Sequence, residues 1–514
     1  MTRIGKRLGV FVLIGLLSVL GAGGGTAAAG DNAELNGIEA LIGILKEKKI
    51  MSEEEAAAVL GRLQEQGQKT EEKKVITIMP RGQMYLKQLS DTVAADIKDE
   101  VKEQVKYEIK DEVVREIKLG ENTGPVPSWT KRIRWGGDIR IRQQSDLFDE
   151  KNDPAPDLED ATKFINTTVD RHRQRIRLRL VAQAEVNDQV EVGVRLATGN
   201  EKDPVSTNET LGDYKNKDGI VLDQAFVRWT VVPEASLWGG RMPNPFFSSD
   251  LVWDGDLNFE GIALTGETPL TGRWRSFINL GAFPLQEIDK SSNDKWLYGA
   301  QAGIHYEPRP DIHWKLATSY YDFNNITGIA NTPANPNLYD HTLPLFKQRG
   351  NTLYSINPFN RFVDLALASD YTLVNLTTSL DFGLFHPVTI SLLADYVKNI
   401  GFDQSEIFAR TGELVPGEDE GYHFSLAVGY PSVRKFMEWK TYIAYKRLEA
   451  DAVVDAFTDS DFHLGGSNAK GWILGGDLGL YDNIWLSAKW ISSDEIIDEH
   501  FAVDTLQIDL NSRF

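Results

Sequence analysis

Two stretches of this chain alternate arginine with other residues at a period of two. In Arg132-Ile133-Arg134-Trp135-Gly136-Gly137-Asp138-Ile139-Arg140-Ile141-Arg142 the even positions hold Arg132, Arg134, Arg140 and Arg142; in Arg171-His172-Arg173-Gln174-Arg175-Ile176-Arg177-Leu178-Arg179-Leu180 the odd positions hold Arg173, Arg175, Arg177 and Arg179. A guanidinium is always charged and offers a rigid fork of donors, so its chemistry is recognition of carboxylate, phosphate and other anions. A period of two places each set on one face of a β-strand. One face of the wall is then cationic and the other apolar. Arg195, Arg228, Arg273 and Arg275, at inward positions of later strands, extend the cationic sector.

An arginine at the lipid midplane costs roughly 2–4 kcal/mol, so a dozen on a lipid-facing surface is untenable and these must face a wet interior. Counter-charges are at hand. The loop 243–255 and the strand after it carry Asp250, Asp254, Asp256 and Glu260 among Phe246, Phe247 and Trp253. Folded inward, this loop would oppose the arginines with acid across a narrow opening, the arrangement by which charged rings set selectivity.

Composition narrows the field further. With 55 Lys and Arg against 75 Asp and Glu, the net charge is −20, which repels polyanions and argues against nucleic-acid binding. There is no cysteine, hence neither a disulfide nor a thiolate metal site, and the eight histidines are scattered. No Gly-rich phosphate loop and no local Ser/His/Asp signature is present, so the expectation is no enzyme, no cofactor and no metal.

The elements that must position these groups follow from the patterning. Residues 1–29 read as a signal peptide: Arg3, Lys6 and Arg7, then an apolar core Leu8 to Leu20, then Ala27-Ala28-Ala29. Residues 30–68 read as a helical hairpin, with Ser52 and Glu55 as a capping box, and 69–83 as a linker. Residues 84–119 repeat apolar positions every four residues from Leu89 to Ile117, which predicts an amphipathic helix or coiled-coil stalk of roughly 50 Å. Gly120 to Pro127 breaks that pattern, and from 129 to 514 alternation replaces it.

After the leader, no apolar run reaches the length of a membrane helix. A chain that crosses lipid without one must close its strands into a barrel. Sixteen candidate strands are separated by connections that alternate long and short, the pattern of short periplasmic turns and long outer loops. The fold class expected is an all-β transmembrane barrel of about 16 antiparallel strands with an N-terminal helical periplasmic extension. The final strand places Leu506, Ile508, Leu510 and the terminal Phe514 on one parity, read as a barrel-insertion signal.

In the segments Trp135 to Arg140, Gly240 to Phe246 and Asp509 to Phe514 the chain resembles the outer-membrane porins of Gram-negative bacteria that carry a helical N-terminal extension, and more loosely the phosphate-selective porins. The resemblance implies a homotrimer, passive diffusion of small hydrophilic solutes, and a loop folded into the pore after strand five. The expectation is therefore an exported channel of the bacterial outer membrane that favours anions. The alternatives are a specific channel for phosphate or small carboxylates, and a tether in which residues 31–120 contact peptidoglycan.

Overall fold

The computed structural model describes residues 130, 132–157, 163–497 and 500–514. The signal peptide, hairpin, linker and stalk expected at 1–119 lie outside the described residues. The chain divides into two compact units, Met1–Pro125 and Val126–Phe514.

Its sixteen long strands run β1 (Ile133–Phe148), β2 (Arg171–Glu185), β3 (Val190–Thr198), β4 (Ile220–Val232), β5 (Ala235–Pro243), β6 (Asn258–Pro269), β7 (Trp274–Gln286), β8 (Lys295–Arg309), β9 (Ile312–Asn324), β10 (Thr372–Phe385), β11 (Val388–Asn399), β12 (Glu420–Gly429), β13 (Trp439–Leu448), β14 (Ala469–Tyr481), β15 (Ile484–Glu495) and β16 (Ala502–Arg513). Each pairs antiparallel with its neighbours in sequence, and β16 returns to pair with β1, so the sheet closes. The expected barrel is the observed one. A strand of 13 residues such as β9 runs roughly 43 Å, and tilted by about 40° it still crosses an apolar band of ~25 Å.

The barrel is inverted relative to a water-soluble protein. Ile141, Val194, Leu222, Ile262, Ile278, Leu376, Ile443, Leu474, Ile508 and Leu510 are exposed on the outside, while Gln144, Gln301, Asn375, Thr377, Asp395, Lys446 and Gln507 are buried inside. Exposed aromatics gather toward the two rims: Trp135, Trp229, Phe385, Trp439 and Tyr481 at the short-turn end, Tyr298, Tyr320, Tyr396 and Trp472 toward the other. Amphipathic rings favour the two membrane–water boundaries, and such girdles mark the edges of the apolar band.

The long connections, all at one end, are 149–170, 199–219, 244–257, 287–294, 325–371, 400–419, 449–468 and 496–501. Several carry structure of their own. A two-residue strand at Glu209–Thr210 pairs with β2, Leu353–Ser355 pairs with Leu365–Leu367, and α1 (Gln404–Thr411) sits in the sixth loop. The α1 signals are in the sequence: the Asp403 side chain accepts from the Ser405 and Glu406 backbone N–H groups, and Gly412 ends the helix at φ 75.

The seam is closed by the terminal residue. Phe514 N–H donates to the Gly137 carbonyl at 3.0 Å and Gly137 N–H to the Phe514 carbonyl at 2.9 Å. A Cβ on Gly137 would stand 2.6 Å from the Arg179 carbonyl oxygen and 2.7 Å from the Phe514 ring, so only glycine fits beneath that ring. We predict that Gly137→Val and Phe514→Ser each lower the yield of heat-resistant barrel on unboiled electrophoresis by severalfold. Wild-type yields for both would contradict this account of the seam.

Candidate functional site

The site is built on β1, β2 and β16. Register puts Arg140 opposite Arg177, Arg142 opposite Arg175, and Asp138 opposite Arg179, while Arg142 faces Asp509 across the seam. Like charges side by side on adjacent strands repel, so the wall stands only if carboxylates or solvent offset them. Arg142, 2% exposed, donates to both oxygens of Asp509 at 2.8 and 2.9 Å. Arg177 and Arg179 share Asp138, each at 2.9 Å, and Arg173 lies 3.2 Å from Asp146.

Two loops supply the rest. Loop 244–257 crosses the lumen, as expected for the connection after the fifth strand. Phe246, Leu251, Val252, Trp253 and Leu257 are buried in one cluster with Phe259, Phe283, Tyr321 and Phe323 of the wall. Gly299 is required where Phe246 lies, because a Cβ there would meet the ring at 2.4 Å. Polar contacts fix the far side: Gln301 holds both backbone groups of Phe247 at 2.8 Å, and Ser249 N–H and Oγ donate to Asp395 at 3.1 and 2.6 Å.

Loop 449–468 also folds inside, which the sequence reading did not anticipate. Ala452, Val453, Val454 and Ala456 join the same apolar cluster. Asp461 reaches the arginine wall, accepting from Arg142 at 3.0 Å, Lys489 at 3.1 Å and Gln507 at 2.9 Å. The loops brace each other: Asp254 N–H donates to the Phe457 carbonyl at 2.8 Å, and Ser460 N–H to the Asp254 carboxylate at 2.8 Å. The signal was the apolar run Ala452 to Ala456, which a solvated loop would not carry.

The expected residues therefore separate into groups. Arg140, Arg142, Arg173, Arg175, Arg177 and Arg179 form the central wall. Arg195 pairs with Asp223, which a bulge in β4 brings inward beside Gln224, and Arg228 lies 3.4 Å from Glu191. Arg132, Arg134, Arg273 and Arg275 sit toward the short-turn rim; Arg132 donates to the Val186 carbonyl, Arg134 pairs with Glu185, Arg273 donates to the Pro308 carbonyl, and Arg275 lies between Glu267 and Glu307.

The four acids do not form one face. Asp250 pairs with Lys446 at 3.0 Å on the opposite wall, and Asp254 is buried between the loops. Glu260 binds Arg241 and lines a cavity with Asp223, Leu285 and Phe457, so it does not join the arginine wall. Asp256 alone meets the wall, and it does so in contact, 3.1 Å from Arg179, rather than across an opening. The reason is packing: the apolar side of the loop buries itself in the wall and carries Asp256 with it.

Electrostatics follow from these contacts. Burial would raise the Asp461 carboxyl, but Lys489, Arg142 and Arg140 hold it well below the ordinary range. For Asp254, burial first, then Asp459 and Asp256, push the carboxyl well above it. Arg140, Arg142, Arg173, Arg177, Arg179 and Lys489 pair with the five carboxylates Asp138, Asp146, Asp256, Asp461 and Asp509. Among the described residues Arg175 has no carboxylate within 4.0 Å; its contacts, all at 3.5 Å, are Gln144, Ser206 and the Asn208 carbonyl. The Nε atoms of Arg140, Arg173, Arg175 and Arg177 are enclosed without an acceptor.

A closed sixteen-stranded barrel with an apolar exterior, aromatic girdles and charged loops folded into its lumen defines an outer-membrane channel of the porin class. Residues 36–514 match the family described as "Putative porin", and the chain belongs to that family. Solved structures similar to it include the outer-membrane channel DcaP of Acinetobacter baumannii (13% identity, TM-score 0.41, covering 74% of this chain and 97% of that one) and OprB of Pseudomonas putida at high pH (11%, 0.44, 75% and 95%). OmpF of Salmonella typhi in complex with daunomycin aligns at 11% identity and TM-score 0.40, over 74% and 97%. No curated protein matches the sequence.

Asp455, in the inward loop, is 1% exposed, and burial raises its carboxyl from an ordinary 3.8 to about 7. A raised acid binds its proton more tightly in the folded state, so its stabilisation is complete below about 3.8 and is lost as pH rises through about 7. Hydrogen exchange of segment 449–468, corrected for intrinsic rates, is therefore expected to quicken across that interval in wild type and to quicken less in Asp455→Asn. Parallel profiles would contradict it.

Proposed function

We propose that the barrel is a passive, anion-favouring channel for small hydrophilic solutes. The observation that carries this reading is the arginine wall itself, in which, among the described residues, Arg175 lacks a carboxylate within 4.0 Å. A diffusing anion finds there a guanidinium whose donors are weakly engaged, beside Arg140, which donates to the Asn208 side chain at 2.5 Å. Local potential, rather than the chain's overall −20, governs an ion inside the lumen, because low-dielectric walls focus the field of nearby charges. Passive flow down a gradient needs no covalent step and no cofactor. The homotrimer belongs to this reading by family resemblance, whereas a peptidoglycan contact through residues 31–120 belongs to the alternative reading as a tether.

In planar bilayers under a KCl gradient, the wild-type reversal potential should have the sign of chloride preference. Arg175→Gln with Arg177→Gln should move it toward zero, more at low ionic strength than high, since lumenal charges are screened by salt. A cation-selective wild type, or a double variant with unchanged reversal potential, would refute the proposal. Saturable block of chloride current by phosphate or a small dicarboxylate would mark the narrower, solute-specific form of the channel.

A further inference from the structure

The eight histidines are scattered in sequence, yet the barrel brings two of them to one carboxylate. His305 and Glu307 occupy alternate positions on the lumenal face of β8, which Leu297, Gln301 and Gly303 share, and His313 lies on β9 just past the tight turn at 310–311. Register shifts there: Arg309 pairs with Ile312 and Tyr306 with Trp314, so Glu307 and Pro308 together oppose the single residue His313. A bulge of this kind re-aims a side chain. Here it turns His313 onto Glu307.

The geometry is that of a coordination polyhedron. His305 Nε2 and His313 Nδ1 each lie 3.4 Å from Glu307 Oε1, and the three ligand atoms all fall within 4.8 Å of one another. A tetrahedral ion with ligand bonds of about 2.0–2.2 Å separates its ligand atoms by roughly 3.3–3.6 Å. Two edges of that tetrahedron are already present.

The tautomer agrees. His313 Nε2 lies 3.1 Å from the Pro310 carbonyl oxygen, which can only accept, so Nε2 donates there and Nδ1 is the ring nitrogen left facing Glu307. A metal-bound histidine is oriented in the same way, its second ring nitrogen donating to a carbonyl. Arg275 lies 3.2 Å from both Glu267 and Glu307 and holds the Glu307 carboxylate beside the two rings.

We propose that His305, Glu307 and His313 form a site for a divalent transition metal, of which Zn2+ is the representative, on the lumenal wall at the short-turn mouth. Two imidazoles and one carboxylate suit such an ion and leave a fourth position open; Mg2+, which demands six oxygen ligands, does not fit. Arg275 holds Glu307 in place but repels the metal by its charge, so it moderates affinity.

The test is equilibrium dialysis of untagged, metal-stripped, full-length protein in detergent against ZnCl2, with zinc counted per chain. One zinc per chain is expected, with no competition from millimolar Mg2+. His305→Ala and His313→Ala should each weaken that binding at least tenfold, and Arg275→Gln should tighten it severalfold by removing a like charge. Folding of each variant is checked by heat-modified mobility. Wild type that binds no zinc, or a His305→Ala/His313→Ala double variant that binds it as tightly as wild type, would overturn the proposal, and the first of these needs no variant to fold.

Discussion

Every backbone N–H and C=O that enters the apolar slab must find a partner within the protein, because lipid offers none. For a chain of strands the only complete solution is closure. β16 pairing onto β1 is thus the contact on which the other fifteen depend, since without it two strand edges would lie open in lipid. The same contact places Asp509 opposite Arg142, so the seam that completes the backbone ladder also completes the charge balance of the lumen.

Closure dictates where charge can go. With the outside given to lipid, each charged side chain of the spanning strands faces the lumen or the rims, and a lumen lined with adjacent arginines is self-repelling. The repulsion is relieved by carboxylates on the wall itself, Asp138, Asp146 and Asp509, and by two carried on loops, Asp256 and Asp461. Breaking a buried ion pair by removing one member typically costs about 3–5 kcal/mol, because the remaining charge is stranded. Arg142 is buried against both Asp509 and Asp461, and this double pairing ties the β1–β16 seam to the loop before β14. The loops are therefore part of the channel's inner architecture, held by ion pairs on one side and by the cluster around Trp253 and Tyr321 on the other.

The strands were legible because period-two alternation survives in each of them, and because side chains of opposite character cannot exchange faces without cost. The arginines of β1 and β2 were legible for the same reason. What alternation does not encode is the path of a loop. The aromatics Phe246 and Trp253 betrayed the first inward loop, but Asp461 was missed because the apolar residues of its loop, Ala452, Val453, Val454 and Ala456, are interrupted by Asp455 and set among further acids. Glu260 stands apart from the arginine wall because it pairs with Arg241 across the β5–β6 ladder, a partner that alternation alone does not reveal. The convergence of His305 and His313 depends on a register shift beside a turn, which no spacing rule reveals.

The central claim is that loops folded onto the arginine wall define the conducting path. Single-channel conductance of a barrel in which residues 452–461 are replaced by a Gly/Ser linker tests it most directly. The account predicts a conductance severalfold above wild type, because a packed segment has been removed from the lumen. A conductance equal to wild type would show that the path runs elsewhere.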